Sequence, residues 1–261
     1  MKSVEKDQKI TPGVIIVMPA YNAEKTLDQC FSEIPTDSYN HVILVDDGSV
    51  DNTVQLAKNL NITVFQHNQN YGYGANQKTC YCEALKHNYS IIVMLHPDYQ
   101  YDPKLLPLIT SPIIKGSADV VFGSRLMGAN PVAQGMPRWK YVGNKVLTFF
   151  ENKVFNLKLS EFHTGYRAYS RHALSSVNFL MNSDGFDFDQ EIVAQFVSCG
   201  FTICEVPVPT KYFPTASSIS IPKSINYGIK IFVILLKYLL HKYGIKVTPQ
   251  FINYQARYYR H

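Results

Sequence analysis

The run IIVMLHPDYQYDP, residues 91–103, changes abruptly from apolar to polar at His96. Two carboxylates, those of Asp98 and Asp102, follow this imidazole, and such side chains bind divalent metal ions. Asp102 precedes Pro103, however, and this pair is typical of a helix N-cap with proline at the first helical position. His96 and Asp98 are therefore the candidates for metal chemistry. The alternative for His96 is a histidine that is merely hydrogen-bonded at a strand end.

Polar groups also follow other apolar runs. Asp46 and Asp47 lie in HVILVDDGS (41–49), where two adjacent carboxylates repel and stability alone would not favour them. They can accept hydrogen bonds from a ligand, or one of them can cap the helix that starts nearby. Arg125 lies in ADVVFGSRL (118–126), and its fixed fork of N–H groups suits a phosphate.

These residues sit at the ends of short apolar runs that alternate with helix-like segments. Near-continuous Val, Ile and Leu in the runs predicts strands of a mostly parallel sheet joined by helices. In such sheets ligands bind beyond the carboxyl ends of the strands, where the polar residues are expected to gather. The predicted strands are 13–21, 41–49, 62–68, 90–96 and 118–126, and the segment 74–88 is predicted to be helical.

After about residue 127 the alternation is less regular. Helices are predicted at 143–156 and 189–200, a mixed segment at 164–174, and a strand near a sheet edge at 201–212, because prolines interrupt it. A further helix is predicted at 225–243. We expect one domain, residues 1–222, followed by a C-terminal amphipathic helix and a basic, aromatic tail, residues 223–261.

Composition narrows the class of protein. The 261 residues carry a net charge of +5, with 46% hydrophobic residues, which is globular and mildly basic. The five cysteines are odd in number and match no zinc-binding spacing, so reduced thiols and a cytoplasmic location are expected. No nucleic-acid partner is expected. The first strand continues into PAYN and not into a glycine-rich loop, which disfavours a dinucleotide-dependent dehydrogenase.

The ordered motifs resemble those of family 2 glycosyltransferases of the GT-A fold. The pieces that carry this resemblance are PAYNAEKTL, LVDDGSVDNT, HNQNYGYGAN, HPDYQYDP and FGSR. The later pieces TGYRAYSR, GFDFDQEI and EVPVPTKYFPTASS are similar to the branch that contains dolichyl-phosphate mannosyltransferase and bacterial polyprenyl-phosphate glycosyltransferases. The resemblance covers roughly residues 12–222. It implies an α/β fold, a Rossmann-like and mostly parallel sheet flanked by helices.

The resemblance also implies roles for individual residues. A nucleoside-diphosphate sugar, the sugar donor, would lie against the strand-exit loops, and one of the two aspartates would bind it while the other is structural. Lys211 stands where the branch often has an arginine on the diphosphate. The residues implied in binding the sugar donor are Pro19, Tyr21, Asn22, Asp46, Asp47, Pro97, Arg125 and Lys211.

The family usually holds a divalent cation with an Asp-x-Asp motif, which stabilises the leaving diphosphate. Aligned on that motif, His96 takes the place of the first aspartate, Asp98 that of the second, and Gln100 is a further ligand. Two accounts remain open. In the first, His96 ligates the metal, which would favour Mn²⁺ over Mg²⁺. Alternatively, it binds only the sugar donor, while Asp98, Gln100, diphosphate and water hold the ion.

The expected reaction is direct displacement with inversion, and the acceptor decides which residues are needed. A polyprenyl phosphate is already ionised near neutral pH and needs cations, for which the resemblance implies Arg138 and Lys140 in a basic loop. A glycan hydroxyl would need a base, for which Glu161 or Asp189 is the candidate. A polyprenyl phosphate is the expected acceptor. A non-catalytic protein that binds nucleotide sugars is a third hypothesis, because His96 breaks the metal motif.

The helix predicted at 225–243 has a wide apolar face, formed by Ile225, Ile229, Phe232, Val233, Leu236, Leu239, Leu240 and Tyr243. Lys230, Lys237 and His241 form a narrow opposite stripe. The apolar face needs the domain core, a second subunit or the membrane interface as its partner. Because a long isoprenoid acceptor is met at a membrane, peripheral attachment to the cytoplasmic face is expected, and an oligomer remains an alternative.

Overall fold

The computed structural model describes residues 13–128, 131–210 and 221–253, with side chains of the last range from 224 onward. It is an α/β fold around a seven-stranded sheet with the strand order β3-β2-β1-β4-β6-β5-β7. The strands are β1 Val14–Ala20, β2 His41–Asp46, β3 Thr63–Gln66, β4 Ile91–Met94, β5 Val120–Ser124, β6 Arg167–Ser170 and β7 Ile203–Pro207. The predicted mostly parallel sheet is confirmed, and all five strands predicted before residue 127 are present.

Strand β6 is the exception to the parallel arrangement. It lies between β4 and β5 and is antiparallel to both, with Met94 opposite Arg167 and Phe122 also opposite Arg167. The mixed pattern of segment 164–174 predicted neither the strand nor its direction. The predicted edge strand is confirmed as β7, which pairs only with β5 among the described strands and ends at Pro207.

Helices cover both faces of the sheet. They are α1 Leu27–Ser32, α2 Thr53–Asn59, α3 Tyr73–Leu85, α4 Leu106–Ile114, α5 Arg138–Phe155, α6 Arg171–Ser176, α7 Phe188–Ser198 and α8 Ile221–Lys242. Alternate strand residues point to opposite faces, so Val14 and Ile16 pack with α1, α2 and α4, whereas Ile15 and Val17 pack with the remaining helices. The result is three layers with a core on each side of the sheet.

Helix α5 begins at Arg138, five residues before the predicted start at residue 143. The expectation that Arg138 and Lys140 lie in a loop is therefore wrong, since both lie in the first turn of this helix. Gly143 lowers helix propensity and marked the boundary in the sequence, but the helix continues through it. Arg138 is exposed, while Lys140 is half-buried.

Helix α8 packs on the domain with a face other than the predicted apolar one. Ile231, Ile234, Leu235 and Tyr238 are buried in the core, beside Phe155 and Phe251. In contrast, most of the predicted apolar face is exposed, namely Ile225, Ile229, Phe232, Val233, Leu236 and Tyr243. The segment Ser224–Lys242 has the length and composition of a membrane-crossing helix, but it lies against α5 and α7. The helix thus carries two apolar surfaces, one of which the described residues leave uncovered.

Candidate active site

A cleft of about 830 Å³ lies at the carboxyl ends of the parallel strands, between the strand-exit loops and helices α5 and α8. Its wall includes most of the residues singled out in the sequence: Pro19, Tyr21, Asn22, Asp47, His96, Pro97, Asp98, Gln100, Arg125 and Lys140. Asp46, Arg138 and Glu161 do not line it, and Lys211 lies outside the described residues. The topology therefore brings side chains from four separate strand ends into one cleft.

The loop that follows β1 is fixed against the loop that follows β2. The backbone N–H of Asn22 donates to Ser49 Oγ at 2.8 Å, and Asn22 Oδ1 accepts from the backbone N–H of Val50 at 3.0 Å. Asn22 has a left-handed φ of 52°, a conformation that asparagine tolerates better than most residues. Tyr21 remains 52% exposed on the cleft wall, where a flat ligand can lie against its ring.

The two aspartates that end β2 have different surroundings. Asp47 Oδ1 accepts from His67 Nδ1 at 2.7 Å and from the backbone N–H of Tyr71 at 3.0 Å, and Oδ2 accepts from that of Gly72 at 2.9 Å. Asp47 thus holds the glycine turn that precedes α3, where Gly72 has a φ of 107°. Asp46 Oδ2 accepts from the backbone N–H of Ser49 at 3.0 Å, and its buried Oδ1 has no hydrogen-bond partner among the described residues. The contacts give Asp47 a structural role, and which aspartate meets the sugar donor stays a prediction.

His96 is fixed by an aromatic neighbour. Its ring stacks on Tyr73 with centroids 5.5 Å apart, and its Nε2 lies 3.3 Å from Tyr73 Oη. Tyr73 Oη donates its own proton to Asp189 Oδ2 at 2.8 Å. In the contact between His96 and Tyr73, His96 Nε2 is therefore the donor and Tyr73 Oη the acceptor, and His96 Nδ1 keeps its lone pair. Burial lowers the pKa of His96, although Asp98 and Asp189 oppose that change. A neutral imidazole whose other nitrogen is held by an oxygen is the usual state of a metal-binding histidine.

Asp98 and Gln100 reach the cleft around a left-handed turn at Tyr99, whose φ is 57°. Asp98 Oδ1 accepts from the backbone N–H of Gln100 at 3.1 Å, which leaves Oδ2 for a ligand. The described residues contain no group of three His, Cys, Asp or Glu side chains that could enclose a metal alone. One carboxylate, one amide and one imidazole fit an ion whose coordination is completed by phosphate oxygens and water. Asp102 instead accepts from the backbone N–H of Lys104 at 3.0 Å, which confirms the predicted cap.

Glu161 is fully buried behind Arg125. Its Oε2 accepts from the backbone N–H of Arg125 at 2.8 Å, and its Oε1 accepts from Arg125 Nε at 2.8 Å and from Asn144 Nδ2 at 2.7 Å. Burial alone would raise the pKa of Glu161, but the guanidinium and these hydrogen bonds outweigh it and hold the pKa below its usual value. Both oxygens are occupied by groups that favour the charged form. The contacts therefore support a role in orienting Arg125, and the role of general base stays an untested prediction.

Lys140 lies on the cleft wall beside Arg125. Burial lowers the pKa of Lys140, and the positive charge of Arg125 lowers it further. Its ammonium group has no hydrogen bond or ion pair among the described residues. Two neighbouring cations in a partly enclosed cleft form a place where an anion would be bound favourably. Of the two predicted acceptor-binding cations, only Lys140 lines the cleft.

Several cleft residues were not predicted from the sequence. Tyr73 follows the glycine turn, and Tyr227 reaches the cleft from α8. Asp189, considered only as an alternative base, accepts from Tyr73 and from Gln77 Nε2 at 3.1 Å and lies 3.6 Å from Arg167 NH1. In NYGYGAN, the position of Tyr73 directly after the glycine turn could have been recognised as a cleft position. Nothing in the pattern of α8 distinguishes Tyr227. These side chains enter the cleft through tertiary packing.

Comparison with known proteins identifies the family of the chain. Residues 15–177 match the family model "Glycosyl transferase family 2". The chain is 28% identical over 240 residues to the UDP-N-acetylglucosamine–dolichyl-phosphate N-acetylglucosaminyltransferase of Methanococcus voltae, covering 85% of this chain and 94% of that protein. It is 25% identical to the polyprenol monophosphomannose synthase of Mycolicibacterium smegmatis, covering 76% of this chain and 77% of that one.

The fold also matches solved structures. Glucosyl-3-phosphoglycerate synthase from Mycobacterium tuberculosis, in complex with Mn²⁺, UDP and glucosyl-3-phosphoglycerate, superposes with a TM-score of 0.64 at 16% identity, over 88% of this chain and 81% of that chain. This likeness concerns the fold. Together with the family match, it establishes that this chain belongs to glycosyltransferase family 2 and has the GT-A fold.

Proposed function

We propose that this chain transfers a sugar, with inversion, from a nucleoside-diphosphate sugar to a polyprenyl phosphate at a membrane surface. The observation that carries the proposal is the ammonium group of Lys140, which is without a partner among the described residues and lies beside Arg125 in the cleft. The two relatives, named as a dolichyl-phosphate N-acetylglucosaminyltransferase and a polyprenol monophosphomannose synthase, support the same acceptor class.

The strand-exit loops would hold the sugar donor. His96 Nδ1, Asp98 Oδ2 and Gln100 would bind Mn²⁺ or Mg²⁺ together with the diphosphate, and the ion would stabilise the leaving group. Tyr73 keeps the His96 imidazole in the tautomer that can bind a cation, and Asn22 keeps the neighbouring loop in place. The chain's own contribution at this end is to orient the diphosphate.

At the other end, Lys140 would place the acceptor phosphate together with Arg125, which the resemblance implied on the sugar donor but which lies beside Lys140. A phosphate monoester loses its second proton near pH 6, so its oxygen attacks without a base. A hydroxyl acceptor would require one, and both carboxylates considered for this task are engaged, Glu161 by Arg125 and Asn144, and Asp189 by Tyr73 and Gln77. These contacts favour the phosphate over a glycan hydroxyl.

An apolar surface lies next to the acceptor end. Trp139 on α5 and Ile225 on α8 are 44% and 61% exposed, and parts of both residues line the cleft. Exposed Val142, Val146, Phe149 and Phe150 continue this surface along α5. Apolar and basic groups side by side are typical of helices that lie in the interface of an anionic membrane. Peripheral attachment at the cytoplasmic face would bring an isoprenoid phosphate to the cleft.

The acceptor class is tested by a matched pair of acceptors, a polyprenyl phosphate and the corresponding polyprenol, offered with UDP- and GDP-sugars and Mn²⁺ or Mg²⁺. We expect transfer to the phosphate alone. Lys140→Met should raise the KM for this acceptor roughly 10–100-fold, because it removes one charge-assisted hydrogen bond.

Lys145→Met is the control for that variant, since Lys145 is exposed on the same helix. Its Nζ lies 6.0 Å from the centroid of the Tyr141 ring. It should leave the KM unchanged. Transfer to the hydroxyl of the polyprenol, or an unchanged KM in Lys140→Met, would contradict the proposal. Binding of the sugar donor with neither transfer nor hydrolysis would favour the non-catalytic alternative.

Membrane attachment is tested by sedimentation with anionic vesicles. The chain should co-pellet, and less so at high salt. Ile229→Asp with Leu236→Asp should leave it in the supernatant, because both side chains are exposed, by 59% and 56%, on the uncovered face of α8.

The matched control is Leu108→Asp with Ile114→Asp on α4, at the opposite face of the sheet. These side chains are also exposed, by 39% and 59%, so both pairs add two charges to exposed helix positions. If the α4 pair abolishes pelleting as well, or if the wild type never pellets, the surface assignment is wrong.

A further inference from the structure

A buried acid lies beneath the acceptor end of the cleft, outside the groups used above. Glu151 is on α5 and fully buried, and its Oε2 is 3.1 Å from His163 Nε2. Neither carboxylate oxygen, nor His163 Nε2 itself, has a hydrogen-bond partner of good alignment among the described residues. A buried carboxylate is costly unless a cation or a proton donor faces it, and among the described residues the imidazole of His163 is the one ion-pair partner of Glu151 within 4 Å.

The other nitrogen of His163 is held from two further helices. Gln190 Nε2 on α7 lies 2.9 Å from Nδ1, and Tyr227 Oη on α8 lies 3.1 Å from it. With the amide of Gln190 donating, Nδ1 accepts, and the ring proton is on Nε2, facing Glu151. The ring is therefore oriented from three sides, by α5, α7 and α8.

The backbone of His163 leads directly to the cleft. Its carbonyl oxygen accepts a hydrogen bond from Arg125 NH2. The adjacent Thr164 is also anchored, since its Oγ1 donates to the carbonyl of Gly123 at 2.6 Å and its carbonyl accepts from Arg167 Nε at 2.7 Å. The residue whose ring faces Glu151 therefore also supplies a carbonyl that holds the guanidinium.

We infer that Glu151, acting through His163, is a positioning residue that holds the guanidinium of Arg125 in a fixed position relative to helix α8. This inference rests on the proposed function, in which Arg125 places the acceptor phosphate. Apolar residues at such a position are often as stabilising as a buried charge pair or more so. The pair therefore contributes geometry, because a proton on a defined ring nitrogen fixes the orientation of the ring, and the carbonyl of the same residue accepts from Arg125 NH2.

The test uses the full chain with Glu151→Met, which keeps the volume of the side chain and removes its acceptor oxygens. Transfer to polyprenyl phosphate should slow about tenfold at subsaturating acceptor, the size of effect seen when a group that orients a site residue is lost. Affinity for the sugar donor should not change. Glu151→Gln, which can still accept from Nε2–H, should recover most of the rate.

A structural role alone would give a different pattern, in which Glu151→Met is as active as the wild type whatever its melting temperature. That result would overturn the inference. Asp119→Asn is the control, since Asp119 caps the backbone N–H of Thr202 at 2.9 Å at the opposite end of β5 from Arg125. It should leave the transfer kinetics unchanged.

Nitrogen-15 NMR of labelled histidines gives a readout independent of catalysis. The His163 signal, assigned by its loss in His163→Gln, should show a protonated Nε2 in the wild type and a mixture of tautomers in Glu151→Met. A mixture already present in the wild type would contradict the inference. Because this readout needs no acceptor, it tests the Glu151–His163 pair separately from the proposed function. Failure of the proposed function would show as absence of any transfer by the wild type.

Discussion

Replacing Asp98 by alanine is expected to lower the rate of sugar transfer by at least about 10²-fold, which corresponds to about 3 kcal/mol of lost transition-state stabilisation. Asp98 Oδ2 is the carboxylate oxygen offered to the cleft beside the His96 imidazole. The variant loses the cation that would stabilise the departing diphosphate, and it loses one hydrogen bond to the backbone of Gln100. The measurements are the transfer rate at saturating sugar donor and the rise in melting temperature that Mn²⁺ with UDP produces.

Asp102→Ala is the matched control, because Asp102 is four residues away and caps the turn that begins at Pro103. Loss of that cap should cost about 1 kcal/mol of stability and leave the rate and the Mn²⁺-dependent shift in place. If Asp98→Ala transfers sugar at the rate of Asp102→Ala, the carboxylate holds no catalytic cation and the metal assignment is wrong.

Replacing Glu161 by glutamine is expected to destabilise the fold by about 3–5 kcal/mol, because a buried guanidinium then faces an amide where it faced a carboxylate. For a chain of this size the melting temperature should fall by roughly 6–20 °C. Transfer measured well below that temperature should fall less than about tenfold, since Glu161 orients Arg125 and does not line the cleft. Thermal unfolding and steady-state kinetics on the same preparation give both values.

Two comparisons show whether an uncompensated charge is the cause. Glu83→Gln, which removes an exposed ion pair with Lys86, should change stability by no more than about 0.5 kcal/mol. The double variant Arg125→Met with Glu161→Met should be more stable than Glu161→Gln, because no charge is then left in the interior. An unchanged melting temperature with a rate loss of about 10²–10⁴ would instead identify Glu161 as a general base.

The same pair predicts how stability depends on pH. The pKa of Glu161 is lower in the folded chain than its ordinary value, so the folded state binds the proton less readily than the unfolded state does. The contribution of the pair is therefore complete above about pH 4.3, the ordinary pKa of glutamate, and is lost as the pH falls through the lower folded value. The stability difference between wild type and Glu161→Gln should accordingly shrink on acidification.

The first half of the chain could be predicted from sequence because its information is local. Continuous apolar runs predicted the strands, and each polar exit, such as Asn22 or Asp98, lies within four residues of the end of a strand whose direction is dictated by the connecting helix. Parallel strands bring those exits to one edge. The cleft wall on that side followed from counting residues, and even the cap at Asp102 came from its neighbouring proline.

The second half depends on contacts between distant segments. Glu161 was a candidate base for a hydroxyl acceptor, and that role stays a prediction, but nothing local in the sequence showed that Arg125, 36 residues away, would be its buried ion-pair partner. The buried face of α8 was missed, since Ile231, Ile234 and Leu235 face the core while most of the predicted apolar face, including Ile229 and Leu236, remains exposed. A helix that is apolar nearly all round has no pattern that identifies its buried side, and only packing decides it.

The place of β6 in the sheet has a consequence for the order in which the polypeptide can fold during synthesis. Strands β1 to β4 pair with one another as soon as they have left the ribosome, because their neighbours are adjacent in the chain or precede them. Strand β5 has only β6 and β7 as neighbours among the described strands, and both are made later. The strongly apolar segment Val120–Ser124 therefore has no strand to pair with until β6, which ends at residue 170, has left the ribosome. The nascent chain exposes an aggregation-prone edge during that interval, at the segment that will later present Arg125.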